Sequence, residues 1–332
     1  MNCPPARSIF LLCLLFLLPL LDGCQQRDGE PAAELNYRLK WLYNINTAGD
    51  LYALEHGFFT SRGLRVAVKP GGPERDAIRE LELGRAQFGV ASADQVIRAL
   101  AKGAPIVVIA QLFQQNPLQW IHRSDGACCA GPLDLRGKTV GITYGGNDET
   151  IMRALLAKYD IAPNEVNLFS VRYDYTPFYR GEVDLWPIYR NAEGIVIAEK
   201  MSQAGEQTDF FVPDLFDVRF VANSLITTRS MLEENPGLVR NFRDALLSAW
   251  QEALAPANAA RTIALVHAYD QGTPEEIIAK QLDASRQLML PEKGRFGRID
   301  TAAWRETEQI MLEQGVMDSP VGVEKALFPD GL

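Results

Sequence analysis

From residue 38 to about 225 the chain alternates short apolar runs with amphipathic stretches of helical period. "YRLKWLYN", "LRVAVKPGG", "AQFGVAS" and "PIVVIAQLF" read as strands bounded by turn residues. Between them "GDLYALEHGFFTSRG", stopped by Gly63, then "ERDAIRELELG" and "DQVIRALAKG" carry apolar residues at three- and four-residue spacing and read as helices. The pattern then restarts. "GKTVGIT" reads as a strand, "NDETIMRALLAKYD" as a helix with Ile151, Leu155 and Tyr159 on one face, and "NLFSVRY" and "VDLWPIY" as two further short strands. From Ser230 onward the period is helical through "LVRNFRDALLSAWQEAL", "ARTIALVHAYD", "PEEIIAKQLDASRQLML" and "AAWRETEQIMLEQG". Such alternation predicts an α/β fold, with parallel sheets covered by helices. Two units of it predict two lobes and a cleft between them. Ligands in open α/β sheets sit beyond the carboxyl ends of strands, where helices begin.

The N-terminal run "IFLLCLLFLLPLL", Ile9 to Leu21 behind Arg7, follows a different logic. It is too short for a bilayer core, which needs about 20 apolar residues, and it reads as a signal-peptide core. The following "LDGC" resembles the bacterial lipoprotein signal, in which a cysteine after a small residue is lipidated on its thiol and becomes the new N-terminus. That assigns residues 1–23 to the signal and lipidation to Cys24. Asp22 departs from the pattern, where a small or apolar residue is usual, so ordinary cleavage nearby stays open. Both readings export the protein. Several acyl chains, each worth about 0.8 kcal/mol per buried CH₂, anchor stably. The polar stretch over 24–35 then serves as a flexible tether, leaving the protein lipid-anchored to the cell envelope and facing the periplasm or cell exterior.

Removing the leader leaves about 310 residues, enough for two ordinary domains. The net charge of −9 argues against nucleic acid or anionic headgroups as partners. Of five cysteines, two leave with the leader and Cys24 carries the anchor. Cys128 and Cys129 are adjacent, where a disulfide is strained, so no disulfide framework is expected. His122 with these two cysteines lacks a full ligand set, and His56 and His267 read as helical residues, so neither a metal nor a cofactor is expected. No P-loop, nucleophile elbow or Rossmann fingerprint is present.

Five stretches in order, "LEHGFFTSRGLRVAV", "LELGRAQFGVASADQ", "ALAKGAPIVVIAQLFQQNP", "DLRGKTVGITYGGNDET" and "YRGEVDLWP", resemble the solute-binding proteins of ABC importers in the SsuA/THI5-like (NMT1/THI5) family. The resemblance covers about residues 38–250 and implies a two-lobe periplasmic-binding-protein fold of type II with a C-terminal helical segment. Lobe one is expected over 36–122 with 218–332, and lobe two over 123–217. Chain crossings near "WIHRSD" and "FDVRFVANS" would form the hinge. The resemblance implies a monomer that delivers one small molecule to a membrane permease. "SADQ" and "GGNDE" look closest to the branch that binds pyrimidine precursors of thiamine, or riboflavin. An enzyme reading, thiamine pyrimidine synthase, resembles much of the chain. Those enzymes carry a lysine and histidine near "VASADQ" and a cysteine run after the second lobe, whereas this chain has Ala91, Ser92 and Gln95 in the first place and "RFVANSL" in the second.

Candidate ligand contacts follow from strand ends. Ser92 and Asp94 stand where a strand meets a helix, a position that a plain N-cap also explains. In "TYGGNDET", Gly145 and Gly146 let backbone approach a guest, with Asn147, Asp148 and Glu149 opening the helix. Acids at that positive end disfavour an anion and favour a ligand presenting N–H donors, although helix capping is the alternative. Trp41 beside Asn44, Phe113, Tyr173 and Trp186 lie near these turns; Trp41 and Trp186 are the preferred clamp for a flat heterocycle, core packing being the alternative for each ring. Gln114 and Asp174 could supply edge hydrogen bonds. Sulfonate or nitrate would want a cationic clamp, and the nearest candidates, Arg172 and Arg190, sit outside the aligned turns. The expected function is capture of a thiamine-related aminopyrimidine by lobe closure, with riboflavin the alternative ligand.

Overall fold

Short strands rich in β-branched and apolar residues assemble into one five-stranded sheet and two smaller ones in the computed structural model, which describes Met1 and residues 34–72, 74–124, 129–172, 174–290 and 295–328. Cys24, the expected lipidation site, lies outside the described residues. The large sheet contains Leu35–Arg38 (β1), Val66–Lys69 (β2), Phe88–Ala91 (β3) and Ile106–Gln111 (β4), and it takes up a late strand, Ser224–Thr228 (β10), in the order β2-β1-β3-β10-β4. Between these strands run Ala48–Glu55 (α1), Ala77–Glu82 (α2) and Ala93–Ala101 (α3). The second lobe holds Leu118–Arg123 (β5), Thr139–Ile142 (β6), Asn167–Ser170 (β7), Trp186–Tyr189 (β8) and Thr208–Phe211 (β9). Its helices are Asn147–Lys158 (α4), Thr176–Tyr179 (α5) and Glu193–Gln203 (α6). After β10 come Arg229–Glu234 (α7), Pro236–Leu254 (α8), Ala259–Tyr269 (α9), Glu275–Met289 (α10) and Thr301–Glu313 (α11). Among the described residues no helix is long and apolar enough to cross a membrane.

β1 pairs in parallel with β2 and β3, as the alternation predicts. β10 does not follow that rule. It runs antiparallel to both β3 and β4, with Ser224 opposite Ala91 and Gln111, so the sheet is mixed rather than parallel. Periodicity reports which face is buried and is blind to strand direction, which is why a strand returning from the second lobe was not visible in the pattern. β4 ends the sheet yet is buried along its length. The C-terminal segment covers its edge: Val108 bridges Leu327, and Phe328 N donates to Val108 O at 2.9 Å.

The chain changes sheet earlier than expected. β5, which contains the "WIHR" expected to cross between lobes, already pairs antiparallel with β8 and β9, so the first crossing lies over 112–117. The return lies between β9 and β10. The two connections are bonded to each other, with Leu112 N donating to Asn223 O at 2.9 Å and Asn116 Nδ2 to Phe220 O at 2.9 Å. β6 and β7 form a parallel pair joined to β8's approach by a bridge from Val140 to Leu185. Cys129, buried and at positive φ, is disulfide-bonded, although no disulfide framework was expected.

β1 is shorter than the predicted strand over "YRLKWLYN". The backbone leaves the sheet at Leu39 and passes against Gly71, where a Cβ would lie 2.0 Å from Leu39 O. Asn44 then starts the next turn by accepting from Asn46 N at 2.9 Å. Lys40 and Trp41 are thereby released from the strand's alternation and turned toward the second lobe.

α8 shows how the helical segment is fixed. Its buried residues Val239, Phe242, Leu246, Ala249, Trp250 and Ala253 recur every three or four positions and form one stripe. Phe242 stacks on Phe88 at 3.7 Å between centroids, and α1 crosses α8 where Gly49 meets the Trp250 ring. A Cβ on Gly49 would lie 2.0 Å from Trp250 Cδ2. Gly49→Ala gains about 1 kcal/mol of helix propensity but overpacks a fully buried contact, at a cost of about 1–3 kcal/mol or more. The variant is expected to unfold at lower urea, with unchanged dependence on denaturant and a net loss of about 2 kcal/mol. An unchanged or raised midpoint would show that α1 and α8 do not meet at Gly49.

Candidate functional site

The loops leaving β1 and β6 and the end of β8 converge on one cavity of about 360 Å³. Its walls come from both lobes: Trp41, Asn44 and Asp50 from the first, Asn147, Asp148 and Trp186 from the second. Of the residues expected from sequence, Trp41, Asn44, Asn147, Asp148 and Trp186 line this space. Trp186 is 1% exposed and meets Tyr175 edge-on at 5.7 Å, so part of its ring belongs to the second lobe's core.

The remaining expected residues do not line it. Ser92 Oγ donates to Asp94 Oδ1 at 2.6 Å and Asp94 Oδ2 accepts from Arg98 Nη2 at 3.1 Å, so both are spent holding the start of α3. Phe113 is buried against Tyr189, centroids 6.2 Å apart. Gln114 Nε2 donates to the carbonyls of Gln111 and Arg298. Glu149 accepts from Gly145 N at 2.8 Å and pairs with Arg153. Asp174 accepts from Thr176 N at 2.9 Å in the turn that leads into α5. Glu149 and Asp174 found local backbone donors, and Ser92 and Asp94 found each other and Arg98 within one turn. Tyr173 lies outside the described residues. The two turns expected to oppose each other are nonetheless neighbours: Arg98 Nη2, while paired to Asp94, also donates to Gly145 O at 3.2 Å.

The centre of the cavity wall is a residue the sequence reading passed over. Lys40 Nζ donates to Asn147 Oδ1 at 2.8 Å and to Tyr189 OH at 2.9 Å, and Tyr189 OH donates onward to Asn223 Oδ1 at 3.1 Å. The chain of contacts runs from the end of β1, across the second lobe, to the connection preceding β10. Burial opposes the charge on Lys40, but Tyr189, Asp94 and Asp148 outweigh it and hold the ammonium above its ordinary value. The one sequence signal was a lysine inside an otherwise strand-like run. The Tyr189 hydroxyl, bonded to both Lys40 and Asn223, joins the lobes.

Four carboxyls, Asp50, Asp76, Asp148 and Glu193, line the same space. Burial pushes Asp148 up to about 6, against the hydrogen bond from Thr143 N and the charge of Lys40. Burial likewise raises Glu193, which accepts from Tyr189 N at 3.2 Å and from Asn44 Nδ2 at 3.4 Å across the lobes. Asp50, in the first turn of α1 and 1% exposed, accepts from Tyr37 OH at 2.6 Å and is pushed by burial to about 7. Neither Asp50 nor Glu193 was anticipated. An aspartate within "GDLYALE", a stretch otherwise apolar, was the available sign. No Ser, His or Cys is among the residues lining the cavity. Arg172, a cation expected to sit outside the turns, also lines the cavity and pairs with Glu74 at 2.9 Å, so the arrangement can grip a guest through rings, two cations and several acceptors.

The chain belongs to the NMT1/THI5-like family, whose profile matches residues 44–260. It is 24% identical over 302 residues to the riboflavin-binding protein RibY of Chloroflexus aurantiacus, covering 88% of this chain and 84% of that protein. The alkanesulfonate-binding protein SsuA of Xanthomonas axonopodis pv. citri, solved with MOPS bound, superposes with a TM-score of 0.67 at 16% identity, over 90% of this chain and 99% of that one. The desulfurization enzyme DSZB shares the fold at a TM-score of 0.57 and 15% identity, over 90% and 96% of the two chains. The fold is therefore that of the SsuA-type periplasmic binding proteins, and it hosts at least one enzyme.

The pH response of Asp50 follows from its burial. The ordinary carboxyl value is 3.8 and the folded value about 7, so the folded state binds the extra proton within that window. Stability therefore falls as pH rises through the window. Asp50→Asn keeps an acceptor for Tyr37 and removes the titration. Compared with this variant, the native protein should lose up to about 4 kcal/mol of unfolding free energy between the two values. Urea titrations at several pH values measure it. A difference that stays flat with pH would mean that Asp50 is solvated or paired.

Proposed function

We propose that this chain is the solute-binding component of an ABC importer, and that it captures a flat, neutral nitrogen heterocycle by closing two lobes. The observation that carries this reading is the cavity itself. It is built from both lobes, has aromatic and buried polar walls, and bears no catalytic constellation among its lining residues. Its volume suits a ligand of drug size, larger than a single pyrimidine ring fills. That volume and the likeness over 302 residues to a riboflavin-binding protein favour riboflavin, with the thiamine-related aminopyrimidine second. Closure turns about the two connections over 112–117 and 212–223, and the ligand stabilises the closed state by its differential affinity for it. A permease reads that state, and lipidation at Cys24 keeps the protein near it. Trp41 and Trp186 hold the ring faces, a contact worth about 0.5–1.5 kcal/mol beyond area burial.

A thermal-shift panel of riboflavin, aminopyrimidine, thiamine, taurine and nitrate tests the assignment. At 100-fold excess over Kd, the cognate ligand adds about 2.7 kcal/mol. Riboflavin is expected to give the largest shift and to be recovered unchanged. A shift with taurine alone overturns the heterocycle reading, and chemical conversion of a bound ligand overturns the transport reading. Trp186→Ala and Trp41→Ala should each weaken riboflavin binding at least about tenfold, a loss of about 1.4 kcal/mol. Unchanged affinity in both retires the clamp.

A further inference from the structure

Resting on the reading of the cavity as a heterocycle site, we infer that Lys40 and Asn147 form a donor pair that selects a ring carbonyl oxygen. The ligand would then be an oxo-heterocycle rather than an amino-substituted one. A lysine ammonium has three N–H donors and no acceptor. Two of those donors are used, on Asn147 Oδ1 and on Tyr189 OH. The Tyr189 hydroxyl hydrogen is committed to Asn223 Oδ1, so the phenol oxygen must accept from Lys40. These commitments fix the orientation of the Asn147 amide, because turning it over would set its NH₂ against the ammonium.

The consequence falls on Asn147 Nδ2. Asn147 is 6% exposed and lines the cavity, and its Nδ2 has no hydrogen-bond partner among the described residues. A buried amide donor without an acceptor is costly, and native structures leave few of them. The third Lys40 N–H faces the same need. The neighbouring carboxyls are turned to backbone, Asp148 Oδ2 accepting from Thr143 N and Glu149 from Gly145 N, and none is bonded to Asn147 Nδ2. A guest oxygen at this corner would answer two donors together.

Charge selects which oxygen. Lys40 is already balanced by Asp94, Asp148 and Glu193, all close enough to act on it or be acted on by it. Among the lining residues Asp50, Asp76, Asp148 and Glu193 stand against Lys40 and Arg172, and Arg172 is paired with Glu74, so a sulfonate or carboxylate would meet an excess of acids that a neutral carbonyl does not oppose. The carboxyls of Asp50 and Glu193 remain elsewhere on the walls for the N–H groups of such a ring. Carbonyl and imide N–H groups occur together on the pyrimidinedione edge of a flavin and are absent from an aminopyrimidine.

The test compares riboflavin, lumazine and 2,4-diaminopteridine by titration calorimetry at neutral pH. The last two share one skeleton and differ in carbonyl against amino groups. Lumazine is expected to bind at least about tenfold more tightly than the diamino analogue. Asn147→Asp keeps the acceptor for Lys40 and replaces the free donor by an acceptor, so it should reverse that preference. Asn147→Leu, which should abolish the preference, gives the same readout if the first variant does not fold, as judged by its unliganded melting curve. Equal affinity of the native protein for the two pteridines, or a preference unmoved by both variants, overturns the donor-pair inference while leaving the heterocycle reading in place. Binding by none of the three overturns both.

Discussion

A lysine ammonium withdrawn from water between two sheets persists only where its charge and its N–H groups are answered, and Lys40 imposes that condition on the rest of the site. Its answers come from elements far apart in the chain: Asn147 at the start of α4, Tyr189 at the end of β8, and the charges of Asp94 and Asp148. Meeting the condition brings together the turn after β1, the glycine turn after β6 and the connection before β10. The cavity is what remains between them. Acids that would otherwise be driven fully neutral by burial keep a counter-charge, and the cation keeps a reason to stay.

The tail helices extend this arrangement. α10 reaches over to α6 of the second lobe, with Gln281 Nε2 donating to Ala192 O at 3.1 Å and Lys280 pairing with Glu199 at 2.9 Å. Asn191, fully buried, donates to Asn46 Oδ1 at 2.7 Å and to Ser285 Oγ at 2.8 Å, joining the first lobe, the second lobe and the tail at one point. The exposed Lys280 pair is worth little by itself. The buried amide contacts are directional and set where the second lobe rests, so the cavity walls are positioned before a guest arrives.

A shared fold leaves function to the lining. The same architecture carries a sulfonate-binding protein and a desulfurization enzyme, so backbone likeness does not choose between binding and turnover. What is particular to this chain is the lining: rings and carboxyls around the paired Lys40, with Arg172 on the same wall.

Most strands and helices were legible because burial leaves a period in the sequence. The α4 face bearing Ile151 and Leu155 and the fully apolar β4 are both buried where the pattern placed them. Helix starts were legible too, since capping chemistry is local, and Ser92, Asp94, Glu149 and Asp174, expected as ligand contacts, each hold partners within four residues. Strand direction, the sheet that β5 joins, and the meeting of Lys40 with Asn147 and Tyr189 depend on contacts between residues distant in the chain, 107 positions apart for Lys40 with Asn147 and 149 for Lys40 with Tyr189. The amino-acid sequence by itself determined which segments fold and which faces are apolar, because those are short-range consequences of backbone geometry and hydration. Only the tertiary structure decided which buried polar groups satisfy one another and which are left for a guest, because hydrogen-bond completion is a property of the assembled interior.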